Sequence, residues 1–417
     1  MKGTITMVRF IHAADLHLDS PYKGLKELSG RLADTVMRST FQSLENIVEA
    51  AIEKKVDFVL FAGDIYDLKD RSIRAQVLFK QQMEKLKESG IRVFLIHGNH
   101  DFISQESDHL LLPDNVHVFD KAVETVSIET EKGEKVALSG FSYDKRWVDS
   151  RMITDYPDRL PQCDYHIGLL HGFEEGLKAE HARYAPFSLR ELREKNYDYW
   201  ALGHIHKRQQ LCEDPPVYYS GNTQGRNRKE TGDKGCLLVE LTETKQQVDF
   251  LKTASIVWKE ARADLSQLDS MNSIFEAIHE AVQSLPEQNT LLVLRLEVSP
   301  DLSDKILNKL KQDELRETLH QYETGHFIYV TQIKIDMQST ASSTFALAQL
   351  FPEEWDQTVQ HLTTREAFIE VTKELFSAHA YARDVEEPNG HYRQEIIETA
   401  QALIRLDLGV EEDFYGH

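Results

Sequence analysis

The chain has 417 residues, more than one ordinary hydrophobic core can serve, so two or three domains are expected. Its hydrophobic fraction of 41% is that of a globular protein, and no apolar run approaches the ~20 residues needed to span a bilayer. The formal charge of −21 weighs against a nucleic-acid partner, although metal ions can neutralise phosphate locally.

At the N-terminus, "MKGTITMVRFIH" lacks the long uncharged core of a signal peptide. Residues 1–6 read either as the true start or as an extension upstream of Met7. Residues 8–13 form a short strand. In 40–55, Phe41, Leu44, Ile47, Val48, Ala51 and Ile52 share one helical face, with Ser39 or Thr40 placed to cap it. "VDFVLFAGD" (56–64) is a buried strand, 72–89 a helix stopped by Gly90, and "IRVFLIHG" (91–98) the next strand. This βαβαβ order implies a mainly parallel sheet with helices on its faces. "KVALSGF", "DYHIGLLHG" and "DYWALGH" add strands. The run 216–253, with glycine-containing turns, suits an antiparallel second sheet.

A different unit starts near Trp258, with helix, strand (290–298), helix and strand (327–337) in an αβαβ string. Residues 338–343 read as a linker, and the rest as helical. From Ala341 to His417 there are five Lys/Arg against fifteen Asp/Glu, about half of the chain's acidic excess. This tail suits a partner-binding segment, through Phe368, Val371, Leu375, Ile396, Ile397, Ala400 and Ile404; a cap packed on its own domain is the alternative. Cys163, Cys212 and Cys236 are too few and too scattered for a disulfide framework or a CxxC zinc site. A cytoplasmic location is expected.

Five strands end in polar groups of one chemical kind: Asp15-Leu16-His17, Gly63-Asp64, Gly98-Asn99-His100-Asp101, His171-Gly172 and Gly203-His204-Ile205-His206. Beyond the carboxyl ends of strands such groups share one crevice. Two-residue spacing in extended backbone points both members of a pair the same way. A lone D-x-H or H-x-H carries no weight; all five in order are a strong signal. Asp64 has two oxygens with which to bridge a pair of divalent ions. Asp15, His17, Asn99, His171, His204 and His206 would complete two mixed shells. Without sulfur ligands the set favours Mn, Fe or Zn. Two ions roughly 3.5–4 Å apart can activate water and clamp phosphoryl oxygens. His100 would protonate the leaving oxygen or steady the transition state.

These motifs are similar to the signature of the calcineurin-like metallophosphoesterases: D-x-H, G-D, G-N-H-D/E, H and G-H-x-H. "HAADLHLDSP", "GDIYDLKDRS", "YAPFSL" and "YYSGNTQGRNRKETGDKG" resemble the SbcD/YhaO-type DNA repair exonucleases within that family. The resemblance implies an α/β fold with a metallophosphoesterase β-sandwich core of mixed sheets flanked by helices. It also implies a small α+β DNA-capping domain and a helical C-terminal tail. The expected domains are 1–257, 258–337 and 338–417. It further implies a manganese-dependent exonuclease acting on DNA ends in repair, as a homodimer with an SMC-like ATPase of the SbcC/YhaN type. By the family pattern Asp15, His17, Asp64 and His206 hold one metal; Asp64, Asn99, His171 and His204 hold the other; and His100 is catalytic.

Two positions depart from that pattern. Some members carry a histidine three residues after the bridging aspartate, where this chain has Asp67, and a proline is common where it has His97. His12 and His97 read as packed histidines that fix ligand orientation, and His109, His117 and His181 as loop or edge residues. Arg226, Arg228 and Lys229 would either touch phosphate or face solvent. A phosphatase or small-molecule phosphodiesterase is the enzymatic alternative, disfavoured by the size of the unit after Trp258. A non-catalytic scaffold subunit is the other, disfavoured by the intact ligand set.

Overall fold

The computed structural model describes residues 7–20, 22, 25, 30–67, 71–103, 110–176, 184–322, 325–337 and 352–377, with the single positions 390, 393, 394, 396, 397 and 400. The 338–343 linker, the helix expected at 345–351, most of the acidic tail, His109 and His181 lie outside the described residues. The chain divides into two compact units. One comprises Met1–Arg262, His279–Arg295 and Gln312–Lys334; the other comprises Ala263–Ile278, Leu296–Lys311 and Ile335–His417.

In chain order the elements are β1 (Met7–Ala13), α1 (Gly30–Glu53), β2 (Phe58–Ala62), α2 (Ile73–Glu88), β3 (Arg92–Ile96), β4 (Val116–Val118), β5 (Glu124–Glu129), β6 (Lys135–Gly140), β7 (Tyr165–His171), α3 (Leu189–Glu194), β8 (Tyr199–Gly203), β9 (Gln209–Cys212), β10 (Val217–Tyr219), β11 (Gly235–Thr242) and β12 (Gln246–Lys252). They build two six-stranded sheets, ordered β12-β11-β1-β2-β3-β4 and β5-β6-β7-β8-β10-β9. The first is parallel from β1 to β4, with antiparallel β11 and β12 on the β1 side. The second is parallel through β6, β7, β8 and β10, with antiparallel β5 and β9 at its edges.

The period-2 alternation of strands explains why "FVLFA" (58–62) within "VDFVLFAGD" is apolar throughout. Phe58 and Leu60 of β2, with Phe10 of β1 and Phe94 of β3, face Leu138, Ile167, Leu169 and Tyr199 of the second sheet. Val59, Phe61, Val93 and Leu95 point the other way, onto Phe41, Leu44, Val48, Phe79 and Met83 of the two helices. Buried on both faces, the strand has no position for a polar residue. The outer face of the second sheet is covered by an aromatic layer that includes Tyr143, Tyr156, Phe187 and Trp200.

Helix α2 keeps the expected bounds. Ser72 Oγ accepts from Ala75 N at 3.0 Å, and Gly90 beyond its end has φ +72°. Helix α1 begins at Gly30, nine or ten residues before the expected cap. Ser39 lies inside it and donates to the Val36 carbonyl at 2.7 Å, bonding back along the helix rather than opening it. The run 216–253 does not form a sheet of its own. Its first strand, β10, lies parallel to β8, whereas β11 and β12 extend the first sheet as a hairpin.

After Thr253 come β13 (Val257–Leu265), α4 (Met271–Gln283), β14 (Thr290–Val298), α5 (Asp304–Leu310), α6 (Asp313–Thr318), β15 (Gln321–Tyr322) and β16 (Phe327–Met337). Their strands form a sheet ordered β13-β14-β16-β15. The single helix expected before β16 is two short ones. Helices Pro352–Leu362 and Arg365–Ser377 follow. Among the described residues no helix is long and apolar enough to cross a membrane.

Candidate metal centre

The five polar strand ends come from two sheets rather than one. Asp15 and His17 follow β1, Asp64 follows β2, and Asn99 and His100 follow β3; His171 ends β7, and His204 and His206 follow β8. The loops are stitched by backbone bonds: Asp15 N to Gly63 O and His17 N to Asp64 O, both 3.0 Å, and Leu18 N to Ile65 O at 2.9 Å. Asp15 (φ 53°), His17 (45°), Asp64 (52°) and His204 (102°) all adopt positive φ. Such conformations cost L-residues of order 1–3 kcal/mol each and persist where the surroundings over-determine them.

Asp101 is one of those surroundings. Its Oδ1 accepts from Gly98 N at 2.8 Å and its Oδ2 from Ile65 N at 2.9 Å, clamping the loops after β2 and β3. His97, whose Nδ1 lies 3.1 Å from Asp101 Oδ2, supports the same clamp. Glycine is required where the loops converge. A Cβ on Gly98 would sit 2.3 Å from Asp64 Oδ1, and one on Gly203 would sit 1.9 Å from the Ala62 carbonyl oxygen.

The side chains meet acceptor to acceptor. His171 Nδ1 lies 3.0 Å from the Ala62 carbonyl, which holds a proton on Nδ1 and turns Nε2 toward the centre. That Nε2 faces Asn99 Oδ1 at 3.0 Å and Asp64 Oδ2 at 3.4 Å. His206 Nδ1 lies 2.7 Å from Glu230 Oε1, whereas His17 Nδ1, 3.2 Å from Asp67 Oδ1, makes no aligned hydrogen bond; the two Nε2 atoms face one another across 3.2 Å. His204 Nδ1 lies 3.2 Å from Asn99 Oδ1, and the His204 N–H reaches both Asp15 carboxylate oxygens at 3.1 Å. Converging lone pairs repel one another unless a cation lies among them, so the donor set fits divalent metal. Asp15, His17 and His206 form one cluster able to hold an ion, Asp15, Asp64 and His171 another, and His17, Asp67 and His100 a third.

The electrostatics follow from burial opposed by partners. Burial alone would raise Asp64, but His171 with its hydrogen bond, then His17 and His100, hold its carboxyl well below the ordinary range. Asp15 is raised, burial outweighing His206 and His171. Burial would lower His171, yet Asp64 and Asp15 push it up to about 9. His17 goes down to about 4 through burial and the Arg226 charge. His100 is more exposed, with Nδ1 2.8 Å from the Asp67 carbonyl and Asp64 Oδ1 accepting from its backbone N–H at 2.9 Å. Its Nε2 is thereby turned away from the loop.

All seven candidate ligands and His100 lie in the same unit at these strand ends. Asp67, Glu230 and Arg226 belong to the arrangement too. Glu230, lowered to about 2 by His206 and Arg226 against its burial, lies in the "YYSGNTQGRNRKETGDKG" stretch but outside the five strand-end motifs. Arg226 turns inward, donating to Asp67 Oδ1 at 2.7 Å and Ser20 Oγ at 2.8 Å. Arg228 instead donates to Gln332 Oε1 at 2.7 Å. His12 is buried beneath the centre, within 3.0 Å of the Tyr199 hydroxyl and 3.1 Å of the Leu202 carbonyl. His117 pairs with Glu124 at 3.0 Å on the edge of the fold.

The sequence matches the model of the calcineurin-like phosphoesterase family over residues 8–208, a span that holds every candidate ligand. It is 37% identical to an uncharacterized metallophosphoesterase, YhaO, of Bacillus subtilis (strain 168), over 80% of this chain and 82% of that one. It is 25% identical to the DNA double-strand break repair protein Mre11 of Methanocaldococcus jannaschii, over 72% of this chain and 80% of that one. Among solved structures, a dimetal phosphatase from Danio rerio is 13% identical with a TM-score of 0.36, covering 59% of this chain and 96% of that one. With a relative of that identity matched over most of both lengths, and the five strand-end motifs inside the matched span, the chain belongs to the calcineurin-like phosphoesterase family.

Proposed function

We propose that this protein is a two-metal DNA exonuclease that processes DNA ends in repair, using Mn2+ and working with an SMC-like ATPase. Membership of the family makes the chain a metal-dependent phosphoester hydrolase. The observation that carries the finer reading is the convergence of imidazole nitrogens with carboxyl and amide oxygens from five strand ends. Asp15, His17, Asp64 and His206 would hold one ion, and Asp64, Asn99, His171 and His204 the other. Bound there, the ions would supply Lewis-acid polarisation of the phosphodiester and a more acidic water.

The remaining chemistry belongs to the chain. His100, tethered through Nδ1, presents Nε2 on its exposed side, where its protonated form would donate to the leaving oxygen or to a phosphoryl oxygen. The buried Asp64 stays ionised, and its Oδ1 fixes the backbone of the residue that carries this imidazole. DNA is favoured as substrate by similarity to a relative named as a double-strand break repair protein. A DNA-capping role for 258–337, a partner-binding role for the acidic tail, a homodimer and a cytoplasmic location belong to the same reading.

The test is digestion of end-labelled duplex DNA with Mn2+ by the native protein beside Asn99→Ala and His100→Ala. The native protein should shorten the DNA and both variants should not. Intact DNA beside rapid hydrolysis of a generic phosphodiester would replace the nuclease with a small-substrate phosphodiesterase. No hydrolysis of either, with or without the ATPase, would leave the scaffold reading.

A further inference from the structure

Asp67 stands where some relatives carry a second histidine, and it is fully engaged. Its Oδ1 lies 3.2 Å from His17 Nδ1 and accepts from Arg226 Nη1 at 2.7 Å, while its carbonyl lies 2.8 Å from His100 Nδ1. The same Nη1 of Arg226 reaches Ser20 Oγ at 2.8 Å, and the Arg226 backbone N–H donates to Glu230 Oε2 at 2.7 Å. Glu230 Oε1 backs His206 at 2.7 Å, so the two histidines with facing Nε2 atoms each have a carboxylate behind them, through a hydrogen bond at His206 and a close ionic approach at His17, and Arg226 links both carboxylates.

An imidazole without a partner at Nδ1 samples both tautomers and rotates about its last torsion. A carboxylate at Nδ1 fixes the proton there and raises the basicity of Nε2. A histidine at position 67 would place no oxygen against His17 Nδ1.

We propose that Asp67, locked by Arg226, is a positioning residue whose carboxylate aims His17 Nε2 into the metal centre. This rests on the metal-centre reading above and assigns to position 67 an orienting role in place of a second catalytic histidine.

The test is calorimetric titration of the metal-free full chain with Mn2+, for the native protein, Asp67→Ala, Asp67→Asn and the double variant Asp67→Ala/Arg226→Gln. The double variant guards against misfolding, because Asp67→Ala alone strands a half-buried guanidinium. The native protein should bind two ions. Asp67→Ala and the double variant should weaken one of the two sites by about 10- to 100-fold and spare the other. Asp67→Asn, whose amide oxygen keeps the close approach to His17 Nδ1 and the bond from Arg226, should stay within about fivefold of native. A structural defect would weaken both sites together and lower the melting temperature in step. Native affinity in a folded Ala variant, or an Asn variant as weak as Ala, overturns the inference and leaves the metal centre standing. A native protein that binds no Mn2+ overturns the centre and the inference together.

Discussion

His171 and His12 lie close together in the same fold, one in the polar centre and one in the apolar sandwich beneath it. Both are fully buried and both have a ring nitrogen near a backbone carbonyl, at 3.0 and 3.1 Å. Burial drives His12 down to about 3, whereas Asp64 and Asp15 drive His171 up to about 9. Burial therefore does not distinguish a candidate ligand from a packed histidine. Adjacent carboxylates do, because they make the region favour positive charge, whether that of a proton or of a metal.

The largest expected effect on this contrast is Asp64→Ala, which removes the carboxylate nearest His171. Phosphodiester hydrolysis should fall to the buffer blank, and titration should show loss of Mn2+ binding. Retained activity would mean that the contrast has no functional content.

Gly203→Ala comes next, at the boundary of the two regions. Its Cβ would fall 1.9 Å from the Ala62 oxygen and 2.8 Å from His171 Nδ1. A loss of about 3 kcal/mol in chemical denaturation is expected. Gly232→Ala, at φ +81° with open space around it, should cost about 1–2 kcal/mol, backbone strain alone.

The third prediction concerns acid. His12 has a folded pKa near 3 against an ordinary 6.5, so between those values the unfolded chain binds the extra proton. Its contribution is complete above pH 6.5 and is lost as pH falls, at up to about 1.4 kcal/mol per pH unit. His12→Gln should flatten the acid limb of melting temperature against pH; an unchanged limb would assign that slope to other groups. The smallest effect is Tyr199→Phe, which deletes the hydroxyl 3.0 Å from His12 Nδ1. It should cost about 1 kcal/mol in stability and leave hydrolysis unchanged.

The candidate centre was legible because each strand end carries its own short signature, and the loops that turn there need the glycines that mark it. What escaped was non-local. The pairing of β11 with β1 depends on strand order, which no local pattern encodes. Val257–Leu265 does alternate, with Glu260, Arg262 and Asp264 outward, but its inward half includes Lys259 and the small Ala261 and Ala263, a weak apolar signal that masked β13. The α1 start was misplaced because Ser39, a residue type that caps helices, bonds back along the helix instead. Asp67 and Glu230 act through the far nitrogens of other side chains, and neither the loop after β2 nor the one before β11 announces that in its residue types.

Three strand ends of the centre belong to one sheet and two to the other, with His171 reaching across to the Ala62 carbonyl. Metal held there would act as a rivet between layers otherwise joined mainly by apolar contact and a few hydrogen bonds, such as those of His12 to Tyr199 and the Leu202 carbonyl. Sliding one sheet by a single residue, about 3.3 Å, would pull His171 and His204 out of reach of Asp64 and Asn99. Chelation should therefore lower the denaturant midpoint as well as stop turnover, and the catalytic apparatus doubles as a gauge of whether the two layers are in register.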